Sequence, residues 1–312
     1  MSHHEPGRLD ERADRGPWIG DARVTGARLP WDAMLQVPVE QLADLSRVPV
    51  RIFPSADALF QQLARETADL IAASQQSPTP LRIVWPVGPK RHFPLLAAIC
   101  NRERISWRNT FNIQMDEWLD WSCRLLPEHH PFNLQTYLRR ELWDRLEPGL
   151  RPSETQMVFH DPLHLDQVDR TIDDLGGIDV VFGGFGFTGH IAYNEPPTSR
   201  WTEITDEAFC AARTRIVPTN DETFIMHAQR STGGNTRLVP PMGITLGMKD
   251  LLAAGKIRLV SDGGAWKQTI FRVLCLHEPT VRYPCTFVQL HPDAEVMVDA
   301  TTAACPPALF NN

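Results

Sequence analysis

The chain has 312 residues, of which 42% are hydrophobic and 22% charged, the proportions of a folded globular protein rather than a disordered, collagen-like or coiled-coil chain. Its 31 Lys and Arg against 38 Asp and Glu leave a net charge of −7, so a broad basic face for nucleic acid is not expected. No apolar run approaches the ~18 residues of a spanning helix, and the opening MSHHEPGRLDERADRG lacks a hydrophobic signal segment, so a cytoplasmic protein without a membrane partner is expected.

Residues 1–47 carry Gly, Pro and charge without a sustained period, apart from a helical pattern at 31–45, and read as an N-terminal extension. The domain is expected to span 48–312. VPVRIF reads as a strand, after which Ser55 caps a helix through Leu59, Leu63, Ala68, Leu70 and Ile71. LRIVW then leads into a helix around 95–100, and TFNIQM into one at 134–146. IDVVFGG, KIRLVSD and EVMVD read as further buried strands, with a helix at 265–276 after the second. Apolar strands alternating with helices predict an α/β fold, a modified doubly wound, mainly parallel sheet with helices on both faces. Such sheets bind ligands beyond the carboxyl ends of their strands, where PVGPKRH, QMDEWLD, GGFGFTGHIAYNEP and SDGGAWK fall.

In QMDEW, Asp116 and Glu117 follow an apolar strand directly, where a carboxylate serves either as a general base or as a cap. The glycines of GGFGFTGH permit close backbone approach to a ligand, with His190 and Glu195 following at once. A dinucleotide fingerprint would open a helix there, whereas Asn194–Glu195–Pro196–Pro197 interrupts the chain, so no nucleotide cofactor is expected. HExxH and CxxC pairs are absent, and no metal is expected. The six cysteines, Cys100, Cys123, Cys210, Cys275, Cys285 and Cys305, lie far apart and read as reduced. Tryptophans such as Trp118, Trp121 and Trp266 read as packing residues, and His129–His130 as a solvated pair.

MDEW, GHIAYNEP and VQLHPDAEVMVD, in that order along the chain, resemble the glucosamine-6-phosphate deaminase/isomerase family, whose relatives include the 6-phosphogluconolactonases. The resemblance runs from about Val48 to about Ala300. It implies an aldose–ketose isomerase or deaminase for a sugar phosphate, commonly assembled as a homo-oligomer and needing no cofactor. By the same resemblance, Asp116 matches the base that moves a proton between C2 and C1 of the opened sugar, His190 the ring-opening acid/base, and Glu195 the carboxylate supporting it.

Two positions depart from the family pattern. Thr188 stands where the family carries a second aspartate, which removes a negative charge beside His190. The phosphate loop reads PVGPKRH, with Gly88, Lys90 and Arg91 in place of hydroxyl donors. Two cations near a helix N-terminus suit an anion, since the macrodipole disfavours them otherwise by ~0.3–1 kcal/mol each. Glu117, Gly186, Thr188 and Gly189 are also expected at the substrate, with Arg230 of the 217–241 segment and Lys267 at a helix start as further phosphate ligands. A lactone hydrolase using His190 to activate water, and a sugar-phosphate sensor without turnover, are the alternatives.

Overall fold

The computed structural model describes residues 29–197 and 204–307; the first 28 residues of the N-terminal extension lie outside that range. Ten strands form: β1 (Val50–Phe53), β2 (Leu81–Trp85), β3 (Thr110–Gln114), β4 (Asp116–Leu119), β5 (Met157–Val158), β6 (Val180–Gly183), β7 (Arg215–Pro218), β8 (Met242–Thr245), β9 (Lys256–Ser261) and β10 (Ala294–Asp299). Seven make one sheet in the order β1-β10-β9-β6-β2-β3-β5, and every pairing in it is parallel.

Alternate residues of each strand enter opposite layers, which is why these strands read as continuous apolar runs. Val84, Val181, Leu259, Val296 and Val298 pack on one face with the helix Gln268–Leu276. On the other face, Ile83, Trp85, Val180, Phe182, Val260 and Met297 meet the helices Ala56–Ser74 and Phe93–Glu103. The first of these helices starts as its sequence predicts, with the Ser55 side chain accepting a hydrogen bond from the Ala58 N–H at 3.2 Å. The expected doubly wound sheet, covered on both faces, is therefore present.

A second sheet was not anticipated. β4, β8 and β7 form a three-stranded antiparallel sheet beside the main one. Only Met115 separates β3 from β4, so the two strands read as one in sequence, while Gly243 in β8 and Pro218 in β7 weaken the strand pattern. Asp116 and Glu117 thus lie on a strand instead of in a loop.

The extension, from Trp31 onward, packs into the domain. Its helices Trp31–Leu35 and Val39–Leu45 bury Met34 and Leu42 in the same layer as Gln268–Leu276. Arg272, fully buried, donates to the carbonyls of Val37 at 3.1 Å, Ala303 at 3.0 Å and Ala304 at 2.8 Å. Among the described residues no helix is long and apolar enough to cross a membrane, and all six cysteines are unpaired.

Candidate active site

The four segments expected at strand ends follow β2, β3, β6 and β9, and these four strands are consecutive neighbours in the sheet. Their loops accordingly converge on one edge. Gly184 touches the β2 loop: a Cβ on it would meet the Gly88 carbonyl oxygen at 2.9 Å.

After β6 the chain doubles back so that the Gly186 N–H donates to the His190 carbonyl at 2.8 Å and the Gly189 N–H to that of Gly186 at 3.0 Å. Gly189 has φ +90°, a left-handed conformation costly for any side chain. Gly186 has a different task. A Cβ there would lie 2.0 Å from both Cε1 and Nε2 of His190, so the imidazole rests against the bare backbone.

His190 Nδ1 is 2.9 Å from both Thr188 Oγ1 and Glu195 Oε2, and the Thr188 hydroxyl donates to that same Glu195 oxygen at 2.7 Å. A carboxylate only accepts, so Nδ1 carries the proton toward this pair and Nε2 is the free nitrogen. The other Glu195 oxygen accepts from the Thr223 hydroxyl at 2.6 Å. Burial by itself would raise the Glu195 pKa, but the His190 charge and hydrogen bond, with Thr223 and Thr188, hold it down at about 2. Threonine at 188 therefore keeps a hydrogen-bonded triangle without contributing charge.

Asp116 opens β4 and is 8% exposed. Burial, aided by the neighbouring Glu117, pushes its carboxyl up to about 8. Glu117 faces the other way and accepts from Gln114 Nε2 (2.9 Å) and the N–H groups of Trp118 (2.8 Å), Leu134 (2.8 Å) and Gln135 (2.7 Å). It thus takes up the first donors of the helix Leu134–Glu141. Its oxygens are occupied by the protein, and its effect on a ligand runs through the position of β4 and Asp116.

Four cations surround this region. Lys267 is buried, its ammonium donating to the Phe185 carbonyl and lying 4.4 Å from the Trp266 ring centroid. Burial lowers its pKa to about 7. Arg230 stacks on Trp266 at 4.1 Å, so that tryptophan carries two cations besides its packing contacts. Lys90 lies over the Tyr137 ring at 4.5 Å. Arg91 is already neutralised: Asp57 at 2.7 Å and Asp262 at 3.0 Å bind its guanidinium. It ties the β2 loop to the β9 loop, a partnership that spacing along the sequence does not reveal.

The helix Asp221–Ser231 lies over the site. Thr223, His227 and Arg230 occupy one face at i, i+4 and i+7, reaching Glu195, the ring of Trp118 (5.2 Å, edge-on) and Trp266. Burial lowers the His227 pKa to about 4, and the charges of His190, Glu195, Lys267 and Lys90 all bear on it. Thr223, His227 and Tyr193 were not singled out in the sequence, although the helical period of DETFIMHAQR would have grouped the first two with Arg230. Among the described residues no group of three or more His, Cys, Asp or Glu is arranged to hold a metal.

No model of a known protein family matches the chain. Curated relatives do: glucosamine-6-phosphate deaminase of Beutenbergia cavernae is 29% identical over 241 residues, covering 76% of this chain and 86% of the relative. That of Serratia proteamaculans is 28% identical over 218 residues, covering 68% and 74%. Among solved structures, a monomeric glucosamine-6-phosphate deaminase superposes with a TM-score of 0.68 at 23% identity, over 81% of this chain and 98% of that one. A 6-phosphogluconolactonase from Thermotoga maritima gives 0.55 at 13% identity, over 80% and 97%. In sequence the chain is thus similar to glucosamine-6-phosphate deaminases, and its fold is one that a solved glucosamine-6-phosphate deaminase and a 6-phosphogluconolactonase share.

Proposed function

We propose that the protein opens an amino-sugar phosphate, isomerises it from aldose to ketose and releases ammonia. The observation that carries this reading is the Thr188–His190–Glu195 triangle, which leaves one imidazole nitrogen free, alongside a separate, buried carboxyl at Asp116 on the small sheet. Two acid/base centres are what the reaction needs: one at the ring oxygen and one at the C1–C2 edge. His190 Nε2 moves the proton between anomeric hydroxyl and ring oxygen, and the Glu195 carboxylate stabilises the imidazolium formed in transit. Asp116 then takes the C2 proton and returns it to C1, leaving a C2 imine that water hydrolyses to ketose and ammonia. With a carboxyl pushed up to about 8, Asp116 is mostly protonated in the empty site at neutral pH, and a substrate ammonium beside it favours the carboxylate form that the step requires.

Lys267, Arg230 and Lys90 hold the phosphate in this reading, while Gly88, Gly186 and Gly189 shape the loops and Arg91 braces them. No cofactor takes part. The protein acts as a cytoplasmic homo-oligomer, and a single 35.3 kDa species in sedimentation would overturn the oligomeric part.

The test is incubation with glucosamine 6-phosphate and related sugar phosphates in D2O, followed by NMR. Deuterium at the exchanging carbon and ammonia release are expected, both abolished in Asp116→Asn. Hydrolysis of a sugar-phosphate lactone without carbon exchange would replace this reading with a lactonase. Binding without turnover of any substrate would replace it with a sensor.

A further inference from the structure

Tyr193 lies along the face of the small sheet that carries Asp116. Asp116 and Trp118, two apart on β4, share that face with their cross-strand partners Thr245 and Gly243. The Tyr193 ring packs on Trp118 with centroids 4.5 Å apart. Gly243 makes room for it, since a Cβ there would fall 2.5 Å from Cδ2 and 2.9 Å from Cε2. The Tyr193 N–H donates to Thr245 Oγ1 at 3.1 Å. Trp118 and the bare Gly243 backbone thus position the ring, and Thr245 the Tyr193 backbone, on the sheet face that carries Asp116, immediately before the Asn194–Glu195 pair. Its hydroxyl makes no hydrogen bond to a described residue, and Tyr193 is half-buried, so the phenol is open to a ligand. Burial and the carboxylates of Asp116, Glu117 and Glu195 keep the phenol neutral, a donor and never a base.

We infer that Tyr193 donates the hydrogen bond that holds O1 of the opened sugar while Asp116 removes the C2 proton. The inference rests on the isomerase reading above. In that step the C2–H bond breaks and its proton passes to Asp116. Its electron pair forms C1=C2, and the C1=O π pair moves onto O1. The negative charge gathering on O1 is stabilised by a nearby donor, and in this reading Lys267, Arg230 and Lys90 are engaged with the phosphate at the other end of the sugar. Phenylalanine at this position would fill the same space without the donor.

The experiment compares wild type and Tyr193→Phe for deaminase kcat, KM, C2 exchange in D2O and thermal melting. One donor to a developing oxyanion is worth roughly 10²-fold in kcat, so a loss of about that size is expected with KM within about twofold and an unchanged Tm. Wild-type kcat in the variant would reduce Tyr193 to packing and overturn the inference. A raised KM with unchanged kcat would also overturn it, because the contact would then be equal in ground and transition states. Wild-type protein that exchanges no carbon-bound proton would overturn the isomerase reading, and this inference with it.

Discussion

Gly186→Ala isolates the position of one imidazole from the rest of the fold. The new methyl carbon would sit 2.0 Å from Cε1 and Nε2 of His190, whereas ordinary contact begins at 3.4 Å, so the ring must retreat by about 1.4 Å (3.4 − 2.0). Ring atoms are the free end of a side chain and yield before backbone does. That displacement exceeds what the 2.9 Å contacts from Nδ1 to Thr188 and Glu195 tolerate, and it carries Nε2 away from the position the proposed ring opening requires. A misplacement of about 1 Å can cost 10²-fold in rate, so kcat/KM is expected to fall roughly 10²-fold, or about 2.7 kcal/mol of transition-state stabilisation. Stability should change by less than about 1.5 kcal/mol, since the clash is relieved by a rotamer change, and Tm should move by no more than a few degrees. Ammonia release and a thermal melt, run on the same preparation, check both numbers. Full activity in the variant would refute the assigned place of His190. A collapse of Tm would refute the argument that the side chain gives way first.

Three further outcomes follow from the same geometry. Phosphate affinity, measured by calorimetry against pH, should rise as the ligand becomes a dianion above about 6. It should then fall as Lys267, lowered to about 7, loses its proton; Lys267→Met should be weak throughout and lack the alkaline limb. Thr188→Val should cost about tenfold in kcat while Thr188→Ser retains activity, because the hydroxyl donates to Glu195 and meets His190 beside their direct contact; equal activity in both variants would remove that role. Arg272→Met should destabilise the protein by about 2 kcal/mol in chemical denaturation, since three buried carbonyls lose a charged donor, and unchanged stability would contradict that bookkeeping.

The main sheet was legible because its strands are buried on both faces, which leaves unbroken apolar runs such as LRIVW and IDVVF. The loops at their carboxyl ends, with Asp116, His190 and Glu195, could be located for the same reason. The antiparallel sheet was not legible, because β4 is fused to β3 and β7 and β8 are four residues each, held by pairing and not by pattern. Partnerships between distant segments were hidden as well. Nothing near Arg91 in sequence announces Asp57 or Asp262, and nothing near Glu117 announces that its oxygens serve a helix 17 residues further on. The segment around Met34 and Leu42 read only as an extension because it finds partners more than 200 positions away, such as Arg272.

The Thr223 hydroxyl is the only contact described above that joins the covering helix to Glu195. Any movement of that helix away from Glu195 would withdraw this donor. The seating of the helix and the ionisation of Glu195 are thus mechanically linked: with the helix displaced, Glu195 would lose one of the bonds that keep it ionised, and the His190 pair would lose part of its support.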